Sequence, residues 1–149
     1  MSARLWSVTV LALTGMWVIA ANSQRIAPLE RITLQVGIRS IQAEVARDDA
    51  DTGRGLMHRK TLAKDGGMLF VFPKPTQHCF WMKDTLIPLS IAFIDGHGLV
   101  INVEDMDPQS EQDHCSAGPS QYALEVNQGL FQAAAVTTGT KITGLPVGQ

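Results

Sequence analysis

The chain contains 149 residues, of which 45% are hydrophobic and 17% are charged, and its formal net charge is −2 at pH 7. These values suit one globular domain and exclude a disordered chain. The Lys and Arg residues form no clustered run, so we expect no nucleic-acid partner.

Residues 1–23 carry the pattern of an export signal. Arg4 precedes a long apolar run, and the small-residue rule for signal cleavage is satisfied just before Gln24. We therefore predict a periplasmic or secreted protein with a single mature domain, residues 24–149, and no stable membrane span after cleavage. An uncleaved N-terminal anchor facing the periplasm is the alternative, since about 17 apolar residues lie at the lower limit for spanning a bilayer.

The mature region begins with an expected β-hairpin. Apolar and polar residues alternate from Ile32 to Val36 and again from Ile41 to Val45, which is typical of half-buried strands. Gly37 lies between the two strands and permits a tight turn. Each strand therefore offers one apolar face to a core.

The alternation stops between Asp48 and Leu62, where we predict a helix. Asp48 or Asp49 can cap its first turn. Gly53 and Gly55 weaken this helix, because each glycine costs about 1 kcal/mol relative to alanine in a helix interior. Their presence indicates close backbone packing or a break in the helix.

Two further strands are expected in the middle of the chain. Met68–Phe72 is apolar at every position, which is typical of a strand that is buried on both faces. Pro73 ends this strand, and a short strand is predicted over Cys79–Lys83.

A second hairpin follows. Pro88–Ile94 and Leu99–Val103 are separated by Asp95-Gly96-His97-Gly98, a sequence that favours a tight turn. The polar segment 105–120 is predicted to be a long loop that carries Cys115. Long loops in compact domains are often functional or held in place by a cross-link.

The last predicted elements are a strand, a short helix and a second strand. The strand covers Tyr122–Val126, the helix is capped by Asn127 and reaches Ala135, and the final strand covers 141–143. Many short strands separated by Gly and Pro, with only two short helices, predict a mainly-β fold, either a small sandwich or a barrel.

The two cysteines, Cys79 and Cys115, lie in the region predicted to be exported, where disulfides persist. A bridge between them would close a loop of about 37 residues and add about 4 kcal/mol of stability by the chain-entropy relation. In the alternative, both thiols are free and join His78 and His114 as metal ligands.

Three segments with a characteristic order and spacing are RGLMHR at 54–59, GMLFVF at 67–72 and FWMKDT at 80–85. Together they resemble the domain of unknown function 192 family, DUF192. The resemblance continues through Pro88-Leu89, Ala92–Asp95, Tyr122–Val126 and Gly129, and so covers residues 32–144.

The resemblance implies a jelly-roll-like or barrel-like domain with short helices that is commonly exported. It implies no agreed activity, substrate or cofactor, and we expect no cofactor. The chain departs from the family pattern at Ser90, where many members carry Asp, and at Asp84, where Asn is usual. A role that depends on an acid at position 90 therefore does not carry over.

Arg54 and Arg59 are candidate ligand-binding residues. A guanidinium group can hold a carboxylate, phosphate or sugar acid through two hydrogen bonds. In the alternative interpretation, each arginine pairs with a carboxylate at the edge of the core, such as Glu125 or Asp84, and has a structural role.

Trp81, Lys83 and Thr85 complete the predicted ligand-binding set. An indole beside a lysine forms a sugar platform or a cation–π pair. The alternative is that Trp81 packs inside the core, where aromatic residues of small domains are usually found. With the two arginines, these residues predict a binding or accessory module for a small ligand or an envelope protein.

Two other functions are considered. Met57, Met82, His78 and His114 offer soft ligands that suit Cu(I). Hydrolase or lyase chemistry would use Asp107, His114 or Glu125 as acid and base groups. Because the chain has none of the common nucleophile, zinc-protease or phosphate-loop motifs, a binding module is favoured over an enzyme.

Overall fold

Nine strands and two short helices make up the described part of the chain, residues 28–147, in a computed structural model. The predicted export signal, residues 1–23, lies outside the described residues. The elements, in chain order, are β1 Arg31–Val36, β2 Arg39–Ala46, α1 Asp49–Arg54, β3 Gly66–Thr76, β4 Cys79–Phe80, β5 Leu89–Ile94, β6 Val100–Met106, β7 His114–Cys115, β8 Ser120–Asn127, α2 Leu130–Ala133 and β9 Ile142–Thr143.

Seven of the strands form one sheet in the order β6-β5-β8-β3-β2-β1-β9, and β4 pairs with β7 in a separate two-stranded sheet. All pairs of the large sheet are antiparallel except β2 with β3. A parallel pair needs a crossover connection, and here the crossover is the segment that contains α1. This crossover carries several residues of the candidate site across one face of the sheet.

The large sheet curls into a half-barrel, and its two edge strands are linked over a short stretch. A bridge between Leu99 and Lys141 joins them, with backbone hydrogen bonds from Val100 N to Thr140 O at 2.9 Å and from Ile142 N to Gly98 O at 2.8 Å. Joining the edges satisfies backbone groups that an open sheet would leave exposed. The mainly-β, barrel-like fold with two short helices is therefore confirmed.

The two faces of the sheet bury different sets of side chains, because alternate residues of a strand point to opposite sides. We call the first the closed face; its buried residues include Leu34, Val36, Ile41, Leu69, Ala92, Leu124, Val126 and Phe131. We call the second the cleft face; its buried residues include Leu56, Met68, Phe70, Phe72, Met82, Leu89, Ile91, Phe93 and Ala123.

Both predicted hairpins are present. In β1–β2 the turn contains Gly37 with φ of 56°, and a Cβ at this position would lie 2.1 Å from the carbonyl oxygen of Ala134. Only glycine fits that conformation and that contact. In β5–β6 the Asp95 carboxylate accepts hydrogen bonds from the backbone N–H groups of His97 and Leu99, which stabilises the turn.

The predicted helix between Asp48 and Leu62 is shorter than expected. Asp48 does cap it, since its Oδ1 accepts a hydrogen bond from the N–H of Asp51 at 2.8 Å. The helix ends at Arg54 because Gly55 has φ of 49° and ψ of −130°, a conformation that is incompatible with a continuing helix. The remaining residues to Leu62 therefore form turns and coil that cross the cleft face.

The predicted cap of the second helix is also wrong. Asn127 is the last residue of β8, and Gly129, in the left-handed region at φ of 81°, precedes α2. The side-chain amide of Asn127 instead donates a hydrogen bond to the carbonyl of Ala63 at 2.8 Å. This contact holds the segment that leads into β3.

The strand predicted over Cys79–Lys83 contains only Cys79 and Phe80. After β4 the chain turns, with Asp84 in the left-handed region at φ of 57°. Met82 is buried in the core of the cleft face, whereas Trp81 is 50% exposed. The expectation that Trp81 packs inside the core is therefore wrong, because the chain leaves the sheet before this residue.

The predicted disulfide between Cys79 and Cys115 is confirmed, and the two residues are directly paired across β4 and β7. The alternative with two free thiols is wrong, since each sulfur is bonded to the other. Among residues 28–147, no helix is both long enough and apolar enough to cross a membrane.

Candidate functional site

A cleft of about 260 Å³ opens on the cleft face, between the end of α1, β3, β4 and β8. Its polar lining includes a guanidinium, a carboxyl, a hydroxyl and an imidazole group. Its apolar lining is mostly aromatic. The residues that line it are Thr52, Gly53, Arg54, Gly55, Leu56, Met57, Phe70, Phe72, His78, Cys79, Phe80, Trp81, Thr85 and Glu125.

Glu125 is the buried carboxyl group of this cleft. Its side chain projects from β8, and only 4% of the residue is exposed. Its cross-strand neighbours, Met68 on β3 and Ile91 on β5, are apolar. Within residues 28–147 no group donates a hydrogen bond to it, and burial raises its pKa to about 8. Glu125 is therefore mostly protonated at neutral pH.

Glu125 is the middle member of a row of three glutamates that crosses the sheet on the cleft face. Glu44 on β2 is paired with Met68, which is paired with Glu125. On the other side Glu125 is paired with Ile91, which is paired with Glu104 on β6. Each outer glutamate lies two strands away from Glu125. Two strand spacings place their backbones about 10 Å from the backbone of Glu125.

The first outer glutamate, Glu44, has arginine partners. Both Nη atoms of Arg59 donate to its two carboxylate oxygens, at 3.0 and 2.5 Å, and Arg31 donates at 3.3 Å. The hydrogen bonds from Arg59 lower the pKa of Glu44, and the same contact raises the pKa of Arg59. This glutamate is therefore an ionised member of a salt bridge.

The other outer glutamate, Glu104, is in contact with a histidine. Its Oε2 lies 2.8 Å from Nδ1 of His114, a buried residue next to the disulfide. The amide of Asn102 donates to its Oε1 at 3.2 Å. Both outer glutamates thus have basic partners from the protein, whereas Glu125 has none among the described residues.

Arg54 stands at the C-terminal end of α1, where a basic side chain interacts favourably with the helix dipole. It donates a hydrogen bond from Nη2 to the carboxylate of Asp51, one helical turn earlier. A guanidinium group has five N–H donors, and 41% of this side chain is exposed. Arg54 therefore retains donors for a second, anionic partner at the cleft.

The aromatic wall of the cleft is formed by rings from β3 and β4. The His78 imidazole stacks on Phe72 with 3.5 Å between ring centroids, and burial lowers its pKa. The Phe80 ring meets Phe70 edge to face at 4.9 Å. Trp81 stands at the rim, where Nζ of Lys83 lies 5.6 Å from its ring centroid. This arrangement suits a ligand with an apolar, preferably flat, body.

The structure brings together part of the predicted ligand-binding set. Arg54, Trp81 and Thr85 line the cleft, and Thr85 is buried. Lys83 lies over the indole of Trp81 but does not line the cleft, and Arg59 binds Glu44 beyond it. Each arginine forms an ion pair, Arg59 with Glu44 and Arg54 with Asp51, rather than with Glu125 or Asp84.

The residues predicted for Cu(I) binding and for hydrolase or lyase chemistry do not lie together. Met57 and His78 line the cleft, whereas Met82 is buried in the core and His114 is held by Glu104. Asp107 is exposed on the loop after β6. Among residues 28–147, no three His, Cys, Asp or Glu side chains are grouped closely enough to hold a metal ion.

The sequence interpretation placed Glu125 among general acid and base groups and among possible arginine partners, but not in the predicted ligand-binding set. One signal was present in the sequence. Glu125 is the only charged residue of the strand Tyr122–Val126, in which every other position is apolar. A charged residue in such a strand must be paired or must serve a function, because an isolated buried carboxyl is costly.

The profile of DUF192, described as "Uncharacterized ACR", matches residues 32–144. No curated protein matches the chain.

Two solved structures share the fold. One is a protein of unknown function from Novosphingobium aromaticivorans DSM 12444, with 31% identity and a TM-score of 0.73, covering 80% of this chain and 89% of that one. The other is a protein from Sinorhizobium meliloti 1021, provisionally assigned as a transcription regulator, with 34% identity and a TM-score of 0.72, covering 77% of this chain and 92% of that one.

Proposed function

The chain belongs to DUF192, a family without an established activity, and on that premise we propose that it is a small exported binding module. The ligand enters the cleft and places an apolar body against Phe72, Phe80 and Trp81. An anionic group of the ligand, such as a carboxylate, binds the free donors of Arg54.

The observation that supports this proposal best is the burial of Glu125 without a hydrogen-bond partner in the described residues. No fully buried side-chain oxygen of residues 28–147 lacks a partner, so the carboxyl oxygens of Glu125 are reached from the cleft, where a ligand can bond to them. A pocket with convergent polar groups and a perturbed pKa is the usual form of a binding site.

The proposed location is the periplasm or the extracellular space. The export pattern of residues 1–23 supports it, as does the disulfide between Cys79 and Cys115, since such bonds persist in oxidising compartments. We do not extend the role assigned to the Sinorhizobium meliloti protein to this chain, because its net charge of −2 gives no electrostatic reason to bind nucleic acid.

A thermal-shift screen of small carboxylic acids tests the proposal. A ligand present at about 100 times its Kd stabilises the folded protein by about 2.7 kcal/mol, which is readily measured as a rise in Tm. We expect this rise to disappear in Arg54→Ala and to shrink in Trp81→Ala. Arg59→Ala is the matched control, because Arg59 contacts Glu44 outside the cleft.

The same variants provide the contradicting outcome. If Arg59→Ala removes the ligand-induced rise in Tm while Arg54→Ala retains it, the ligand binds beside Glu44 and the cleft is not the site. If no acid raises the Tm of the wild type and the Arg54 variant behaves identically, the anion-binding role of Arg54 is wrong.

A hydrolase or lyase function is the second candidate, supported by the raised pKa of Glu125. A carboxyl group that is still protonated at neutral pH can serve as a general acid. This function predicts turnover in a substrate screen that is lost in Glu125→Gln while substrate binding is retained. Binding without turnover in the wild type contradicts it.

A further inference from the structure

Two of the three glutamates in the row have a basic partner, and the third has none among the described residues. Glu44 is paired with Arg59 and Glu104 contacts His114, so the protein supplies a basic group at each end of the row. The middle member, Glu125, faces a cleft instead, and no basic side chain among residues 28–147 bonds to it. The cleft therefore occupies the position in which a basic partner of Glu125 would lie.

We propose that the ligand itself supplies this partner, as a protonated amine that binds the carboxylate of Glu125. The inference rests on the proposed function and deepens it. Together with an anionic group at Arg54, it makes the ligand a zwitterion of amino-acid size with an apolar side chain. Glu125 would then select for the amine and Arg54 for the acid.

The aromatic wall supports a cationic group in this cleft. Aromatic ring faces attract ammonium and guanidinium groups, and the attraction is stronger where water is excluded. The wall already has one such interaction at its rim, between Lys83 and Trp81. A ligand amine beside Glu125 would lie in the cleft that the rings of Phe70, Phe72 and Phe80 also line.

The other charged and titratable groups near Glu125 do not oppose an amine. Arg54 is paired with Asp51, which offsets its charge, and burial lowers the pKa of His78 so that the neutral imidazole is favoured. Glu44 and Glu104 lie about 10 Å away on either side of the row. Neither Arg54 nor His78 therefore places an uncompensated positive charge in competition with a ligand amine.

Binding of an amine has a distinctive consequence for protons. Because burial holds the pKa of Glu125 near 8, the free protein carries a proton there at pH 7. A cation beside the carboxyl lowers its pKa and drives this proton into the buffer. Binding of an anion alone would leave the proton in place. Proton release therefore separates the two ligand classes.

The experiment is isothermal titration calorimetry with three probes that share a phenyl ring and a short carbon chain. L-Phenylalanine carries both charged groups, 2-phenylethylamine carries only the amine, and 3-phenylpropanoate carries only the acid. Each probe is titrated at neutral pH in two buffers with different ionisation enthalpies, so that the number of protons released is obtained directly from the wild type.

We expect L-phenylalanine and 2-phenylethylamine to bind with release of nearly one proton, and 3-phenylpropanoate to bind without it. Glu125→Gln should weaken binding of the two amines by about 10- to 100-fold, the usual loss for a hydrogen bond to a charged group. It should leave the affinity for 3-phenylpropanoate unchanged. Arg54→Ala should weaken binding of the two acids and spare 2-phenylethylamine.

Two results would overturn the inference. One is binding of the amines with no proton release from the wild type. The other is an unchanged amine affinity in Glu125→Gln, provided that its Tm shows it to be folded. If only 3-phenylpropanoate binds and depends on Arg54, the amine inference fails and the proposed function stands. If no probe binds at millimolar concentration, both are contradicted.

Discussion

The two faces of the curled sheet are built from the same strands and yet differ in character. Leu124 and Glu125 are neighbours on β8, and both are almost completely buried. Leu124 belongs to the closed face and packs among aliphatic side chains such as Leu34 and Leu69. Glu125 belongs to the cleft face and has no hydrogen-bond partner in the described chain. Adjacent positions with equal burial thus have opposite polarity.

This difference separates stability from function. The closed face is filled by apolar side chains and by Phe131 of α2, an arrangement that gains free energy from every buried group. The cleft face retains a desolvated carboxyl, which costs free energy in the absence of a ligand. Such a cost is typical of functional sites, where stability is given up for binding.

The largest expected effect tests the difference between the two faces at Leu124 and Glu125. Leu124→Ala should lower the free energy of unfolding by about 3–5 kcal/mol, because it leaves a cavity in the closed face. Glu125→Leu should leave stability unchanged or raise it, since it replaces a largely desolvated carboxyl group with an apolar side chain. Urea denaturation of both variants and the wild type measures the difference.

Ligand affinity should change in the opposite order. Leu124→Ala should retain binding of the probes under conditions where it is folded, whereas Glu125→Leu should remove binding of the amines. A strongly destabilised Glu125→Leu variant would show instead that Glu125 supports the fold and that the two faces are not divided in this way.

Removal of the disulfide tests whether this bond holds the cleft wall in place. β4 contains only Cys79 and Phe80, and the bond to Cys115 fixes it to β7. The double variant Cys79→Ser/Cys115→Ser should lose about 2–4 kcal/mol of unfolding free energy, because the unfolded chain regains the entropy of the open loop. Thermal denaturation measures this loss against the wild type.

Removal of the disulfide should also weaken ligand binding, since His78, Phe80 and Trp81 come from the same short segment. Addition of a reductant to the wild type should reproduce the effect. An unchanged affinity in the folded double variant would mean that backbone pairing alone holds the cleft wall.

A change of pH sharpens the comparison, and its expected effect per pH unit is the smallest of the three. The pKa of Glu125 is about 8 in the folded protein, against 4.5 for a model glutamate. Between these values the folded state holds a proton that the unfolded state has lost, so stability is greatest below the lower pKa and falls as pH rises. The slope approaches about 1.4 kcal/mol per pH unit.

Glu125→Gln is the reference for this measurement, because glutamine does not titrate. As the pH rises from about 5 to about 8, the unfolding free energy of the wild type should fall relative to that of Glu125→Gln. Glu44, whose pKa is lowered by Arg59, is common to both proteins and cancels. Parallel pH profiles would show that Glu125 is solvated rather than buried.

Much of the fold could be predicted because it depends on local patterns. The alternation around Leu34 and Ile41 and the turn after Ile94 specify hairpins, whose partners are close in sequence. The ends of the helices were less predictable. α1 stops at Arg54 because of the conformation of Gly55, and Asn127 is held in β8 by its contact with Ala63.

The candidate site was predictable only in part. Arg54, Trp81 and Thr85 were chosen for their chemistry, and the structure places all three at one cleft. Arg59 was chosen for the same reason but lies against Glu44, because the chain turns after α1 and carries it to β2. Residue type predicted what each side chain can bind but not which partner it meets.

The sequence by itself determined the mainly-β class, the two hairpins, the pairing of Cys79 with Cys115 and the family. Each follows from short-range periodicity, from the small number of cysteines or from motif order. Only the tertiary structure decided that Glu44, Glu125 and Glu104 lie in one row and that the middle one faces the cleft. That row depends on the register of five strands, which is set by long-range packing and cannot be read from any one segment.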